Sequence, residues 1–159
     1  LSSMHNFELR AWPLNRLSEI ALLQGDITEM FGSERKRFEI EFEINEPKYA
    51  SVLVMTQGSS GSAGLCFGTE TYIDDILKKM GIQNVLEQPG WISLSLEDIG
   101  RLQPEAILVV SDSEIFEGSL ANVGTLGIRV IPFRHRHVLV PSSSIVDVAS
   151  ELHNILSKP

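Results

Sequence analysis

Residues 134–137 read Arg-His-Arg-His and residues 58–64 read GSSGSAG, and these are the two stretches whose side-chain types and spacing could do chemistry. Serine hydroxyls among glycines can cradle an anion or supply a nucleophile, yet neither signature is complete. Gly58, Gly61, Gly64 and Gly68 match neither G-x-G-x-x-G nor G-x-x-x-x-G-K-[ST], and no lysine follows to reach a phosphate. Ser59, Ser60 and Ser62 miss the register of the G-x-S-x-G elbow. In the basic stretch, an extended backbone would put His135 and His137 on one side and Arg134 and Arg136 on the other. That arrangement suits a metal chelate, or else it charges a sheet edge against aggregation. Because arginine makes bidentate contacts to carboxylates, the cluster fits an anionic chelate better than a neutral sugar. Trp91, after Pro89 and Gly90, reads either as a ligand-facing ring or as a core anchor.

Composition narrows the partners. The chain has 159 residues, of which 43% are hydrophobic, enough for one domain with a real core. A formal charge of −8 and a pI near 4.9 mean that nucleic acid or an anionic lipid surface would be repelled on average, so neither is expected as a partner. Cys66 has no second cysteine to pair with and no metal-ligand spacing around it, and reads as a small core residue. No apolar run reaches the roughly 18 residues of a membrane span, and the opening LSSMHNFELRAWP lacks a signal-peptide pattern and reads as the middle of a longer sequence.

The elements that must position the two stretches alternate. A strand is expected over 7–12 and a helix over 15–31, where Leu17, Ile20, Ala21, Ile27, Met30 and Phe31 recur near helical spacing before Gly32. Residues 38–44 alternate Phe38, Ile40, Phe42 and Ile44 with glutamates, which favours a strand, although the same residues are i,i+4 pairs. A buried strand follows over 51–56, then a helix carrying Tyr72, Ile73, Ile76, Leu77 and Met80 up to Gly81. Ser95 is an N-cap with Glu97 and Asp98 in the first turn of a helix that stops before Pro104. Next come a strand over 106–110, a helix over 113–122, a strand over 128–133, and a last helix with Ile145, Val148, Ala149, Leu152, Ile155 and Leu156 on one stripe. Repeated β-α-β units imply an α/β fold whose mostly parallel sheet is covered by helices on both faces. Ligands of such sheets sit beyond the carboxyl ends of the strands, which places the candidate chemistry in the loops after residues 56, 110 and 133.

In order along the chain, GTETYIDDILKKMGIQNV, the W-x-x-L-S-L-E-D-I turn, LQPEAILV and the closing IRVIPFRHRHVLVPSSSIVDVASELHNIL resemble the second lobe of class III, helical-backbone periplasmic substrate-binding proteins. That group serves ABC importers of ferric siderophores, haem and cobalamin. The resemblance implies a three-layer Rossmann-like lobe over 49–159, preceded over 1–48 by the end of a first lobe and a long interlobe helix. It turns 38–44 from strand to helix, giving one long or Gly32-kinked helix from 15 to 44. It also implies a binding protein rather than an enzyme, with no cofactor, an iron or cobalt chelate as ligand, an ABC permease as partner and a periplasmic or extracytoplasmic, membrane-anchored location.

Ser59, Ser60, Phe67, Trp91, Arg134, Arg136 and His137 are the ligand-binding residues the resemblance suggests, His137 standing where cobalamin-binding relatives have a ligand-facing aromatic. Where related lobes display an acid for docking to permease arginines, this chain has Leu139, and that contact is not carried over. An N-terminal lobe is expected as the missing partner; without it Ile40, Phe42 and Ile44 would be left uncovered, which predicts self-association. The alternative class is a Rossmann-like enzyme or regulatory domain binding an anionic small molecule through the Gly/Ser-rich loop.

Overall fold

A computed structural model describes residues 14–30, 32, 40–42, 46–58 and 64–158. In chain order the elements are α1 (Leu17–Met30), β1 (Ser51–Thr56), β2 (Leu65–Phe67), α2 (Tyr72–Lys79), β3 (Gln83–Asn84), β4 (Trp91–Ser93), α3 (Leu96–Leu102), β5 (Ala106–Ser111), α4 (Glu117–Gly124), β6 (Arg129–Arg134) and α5 (Ile145–Leu156). Six strands form one sheet in the order β4-β2-β1-β5-β6, with β3 sharing an edge of β1. β1 pairs in parallel with β3 and β5, and β5 with β6, while β2 runs antiparallel to both its neighbours, β1 and β4.

The Val-Leu-Val and Ala-Ile-Leu-Val-Val runs form central strands because both of their faces are covered. Val52 and Val54 of β1, with Ala106, Leu108 and Val110 of β5, enter a core built with residues of α1, α2 and α5. Their neighbours Leu53, Met55, Ile107 and Val109 enter a second core with Ile99 of α3 and Val123 of α4. Alternation with a period of two thus divides one sheet between two helical layers, giving the expected three-layer α/β lobe. Each such side chain taken fully out of water contributes about 1.5–3 kcal/mol. Pro132, which lacks a donor, is accommodated on β6, at the end of the strand order.

Helix starts follow their caps. Thr71 accepts from the Asp74 backbone N–H at the start of α2, and at α3 the Ser95 hydroxyl and Asp98 carboxylate satisfy each other's backbone donors. The Ser95 hydroxyl, donating to Asp98 Oδ2 at 2.6 Å, and the Ser95 N–H together hold the Asp98 carboxyl below its usual range. α4 begins at Glu117, later than the spacing around residue 113 suggests, because residues 112–116 are occupied in contacts at the end of β5.

Several expectations need correction. The first helix ends at Met30, Gly32 takes a left-handed φ of 62°, and residues 40–42 are neither helix nor strand, so the helix does not run unbroken to Ile44. Residues 7–12, 38–39 and 43–44 lie outside the described residues. Ile40 is buried in the first core and Phe42 stacks on His153 with ring centroids 4.8 Å apart, so these two are covered within this chain. Only Leu17 and Ile20 of the α1 stripe are buried; Ile27 and Met30 are exposed. Strands β2, β3 and β4 were not foreseen.

β2 and β4 are joined beyond their ends by backbone bonds from Gly68 N–H to the Gly90 carbonyl (2.8 Å), Thr69 N–H to Gln88 (2.9 Å) and Gly90 N–H to Thr69 (2.8 Å). A Cβ at Gly68 would stand inside the contact distance of the Gln88 carbonyl oxygen, whereas one at Gly118 in α4 meets nothing within 4 Å. Gly68→Ala is therefore expected to destabilise by about 1–3 kcal/mol, and Gly118→Ala to be neutral or stabilise by up to about 1 kcal/mol. Urea denaturation of both variants checks this; equal midpoints would contradict the close approach at Gly68.

Candidate binding site at the carboxyl edge of the sheet

Register brings the three candidate loops together. Thr56 lies opposite Val110, Val110 opposite Phe133 and Ser111 opposite Arg134, so β1, β5 and β6 end at one level. Their exits are then tied to one another. Gln57 donates from its backbone to the Val110 carbonyl (3.2 Å) and from Nε2 to Ser111 Oγ (3.0 Å), and its Oε1 accepts from the Phe116 N–H (3.3 Å). The Ser119 hydroxyl donates to the Gly58 carbonyl (2.8 Å), and the His135 N–H to the Ser111 carbonyl (3.0 Å). Every loop at this edge is thereby held to β5.

Beyond β6 the chain leaves the extended conformation, so the expected alternation of histidines and arginines stops at Arg134. Residues 136–139 form turns, with Val138 N–H bonded to the His135 carbonyl (3.0 Å) and Val140 N–H to that of His137 (3.1 Å). His135 and His137 still neighbour each other, their ring centroids 5.7 Å apart. His135 Nε2 stands 3.8 Å from Glu151 Oε1 on α5. Between these turns, the exit of β5 and the first turns of α5 lies an open cavity of about 670 Å³, whose walls include Asp112, Arg134, His135, Arg136, Asp147 and Glu151. Arg134 and Arg136 are both exposed and make no ion pair or side-chain hydrogen bond among the described residues. No three or more His, Cys, Asp or Glu side chains among the described residues are placed so that together they could hold a metal ion.

Tyr72 links this turn to the aromatic corner. From the first position of α2 its hydroxyl donates to the Val138 carbonyl at 2.9 Å, and its ring meets Trp91 edge-on at 6.3 Å. Burial raises the phenol well above its usual range. Trp91 is 38% exposed and lies against Phe67 at 4.0 Å. Phe67 itself has no exposed surface, so it cannot line the site; it is a floor for Trp91, because β2 turns it into the core opposite Tyr72. Underneath, Asn84 Nδ2 donates to the Phe67 carbonyl (2.9 Å) and Thr71 Oγ1 to the Gly68 carbonyl (2.8 Å), locking α2 to this corner. Cys66 points to the other face, buried, with its thiol pushed up to about 12 by desolvation.

Of the residues singled out from the sequence, the structure sets Arg136 and His137 in the turn that follows Arg134, the last residue of β6, and links that turn to Trp91 through Tyr72. Ser59 and Ser60 lie outside the described residues. Leu139 packs partly buried against the first core. Sequence reasoning missed Gln57, Tyr72 and Phe116. Phe116 is 66% exposed at the start of α4, and a large apolar residue in a polar loop at a carboxyl edge was the available signal. From the sequence, Tyr72 reads only as part of an apolar helix face.

The sheet order, the two helical layers and the loops at the carboxyl edge give this chain the fold of the substrate-binding lobe of class III periplasmic binding proteins. It is similar to IsdE of S. aureus in complex with haem, at 15% identity and a TM-score of 0.64 over 96% of this chain and 69% of that one. It is also similar to an ABC-type Fe3+-hydroxamate transport system from Saccharomonospora viridis (15% identity, TM-score 0.61, 91% of this chain and 56% of that one). A third similar structure is the periplasmic vitamin B12 binding protein BtuF of Vibrio cholerae (13%, TM-score 0.58, 94% and 64%). The structural neighbours are substrate-binding proteins of transport systems, not enzymes. The chain spans 56 to 69% of the length of these three structures. No family model and no curated protein matches the sequence.

Tyr72→Phe removes a donor and leaves the Val138 carbonyl buried without it. The expected loss is about 1–3 kcal/mol of unfolding free energy, since an orphaned buried acceptor costs more than the bond itself contributes. Chemical denaturation measures it, and unchanged stability would show that the turn is not anchored through Tyr72.

Proposed function

We propose that this chain supplies the second lobe of an extracytoplasmic substrate-binding protein that delivers an iron- or cobalt-centred chelate to an ABC permease. The ligand rests on the carboxyl edge of the sheet, against Arg134 at the end of β6 and Arg136 and His137 in the turn that follows, with Ser59 and Ser60 after β1 and the partly exposed Trp91 as further contacts. One observation carries this reading: two exposed guanidinium groups that make no ion pair among the described residues wall an open cavity, across from Asp112, Asp147 and Glu151, in a protein of net charge −8. Arginine forks bind carboxylates in bidentate fashion, and Trp91, partly exposed and joined to this turn through Tyr72, offers an apolar face at the other end of the sheet. The likeness to proteins whose names carry haem, Fe3+-hydroxamate and vitamin B12 supports a chelate of this general size and chemistry. A single lobe presents half of a two-lobed cleft, so affinity is expected to rise when the first lobe is present.

Absorbance titration with haemin, cobalamin and a panel of ferric siderophores tests the proposal, because all are coloured. The double variant Arg134→Ala, Arg136→Ala should bind the responding compound more weakly, each lost charge-assisted bond costing about 1.5–3 kcal/mol, or roughly ten- to hundredfold. Equal affinity of the two proteins would remove this turn from the site, and no binding to any member of the panel would contradict the ligand class.

A further inference from the structure

His135 is only 12% exposed at its side chain, lies parallel to the Phe133 ring with 6.3 Å between centroids, and accepts the backbone N–H of His137 at Nδ1, 3.2 Å away. A side-chain acceptor taking the N–H two residues on is the geometry that aspartate and asparagine use to shape turns. An imidazole does so only when neutral, with its single proton on Nε2, the nitrogen that faces Glu151. Protonation would place a second N–H on Nδ1, directed at the His137 N–H, replacing an attraction by a donor-donor clash. The turn has little freedom to absorb this elsewhere, because the His135 N–H is bonded to Ser111 and the Val138 carbonyl to Tyr72. Between those two anchors lie Arg136 and His137.

We propose that neutral His135 is the positioning residue of this turn, and that its protonation releases Arg136 and His137 from their ligand-facing arrangement, so that the site holds its ligand less well in acid. The proposal rests on the reading of the turn as ligand-facing. The charged and titratable groups around the ring are Arg134, Arg136 and His137 of its own segment, Asp112 after β5, and Asp147 and Glu151 on α5. Histidine is the side chain whose charge changes in the range that extracellular fluids and acidified surroundings span.

His135→Asn separates the roles, since its side-chain oxygen can take the same bond from the His137 N–H and does not titrate in this range. In the ligand-free 15N-labelled chain, the His137 amide resonance should move in step with the His135 ring resonances as the pH is lowered, and stay flat in the variant. Measured as the ratio of each protein's own haemin affinity at about pH 7.5 to that at about pH 5.5, the original chain should lose about tenfold more than the variant, a comparison that also controls for haemin's own titration. A His137 amide that stays still while the ring titrates, a ring that does not titrate in this range, or an equal acid loss in both proteins would overturn the proposal. Should the chain bind no haemin at either pH, that result counts against the ligand class proposed above, and the amide titration alone decides the role of His135.

Discussion

The parallel pairing of β1, β5 and β6 in one register is the constraint on which the rest depends. In a parallel sheet every strand exits at the same edge, and here Thr56, Val110 and Phe133 stand side by side. The backbone polar groups of the chain leaving those strands need partners, and they find them across the exits, in the Gln57, Ser111 and His135 bonds. A slip of one residue in β5 would turn Ile107 and Val109 into the wrong core and separate Ser111 from both Gln57 and His135. Packing and site geometry thus share one cause.

A second constraint acts at right angles to the first. Tyr72 stands where α2 begins, and its ring and its hydroxyl serve different neighbours: Trp91 on the strand pair at one end of the sheet, and Val138 in the turn at the other. The corner that holds Trp91 depends in turn on a backbone approach that only glycine permits at position 68. The candidate ligand contacts therefore rest on groups that touch no ligand themselves. Arg16 reinforces the same helix from the other side, its guanidinium gripping both carboxylate oxygens of Asp75 at 2.9 and 2.6 Å and so joining α1 to α2. That interaction raises the arginine further above its usual range, although partial exposure weakens what it adds to stability.

Much of this was legible because the residues concerned act locally. The Val-Leu-Val and Ile-Leu-Val-Val runs can be satisfied only by burial on both faces, Ser95 announces its helix with a cap, and Arg-His-Arg-His stands out in any acidic chain. β2, β3 and β4 were not legible, since strands of two or three residues carry no measurable alternation and are defined by backbone bonds to β1 and to each other. Phe67 reads as a ligand aromatic until the antiparallel register with Trp91 turns it inward. The expected separation of histidines and arginines onto opposite sides failed for a related reason: hydrogen bonds from residues 137, 138 and 140 back to residues 135 and 137 fold the segment into turns, and no propensity of arginine or histidine signals that. The family resemblance supplied the fold and overreached at residues 40–42, where the first helix has already ended at glycine.

The central claim is that ligand binding belongs to the carboxyl edge of this sheet. Amide chemical-shift mapping of the 15N-labelled chain with gallium protoporphyrin IX, a diamagnetic stand-in for haemin, tests it most directly. The account predicts perturbations confined to residues 57–58, 91, 111–116 and 134–138, at the exits of β1, β5 and β6 and on the aromatic corner. Perturbations centred instead on residues 103–105 and 127–128, at the opposite edge where β5 and β6 begin, would contradict it.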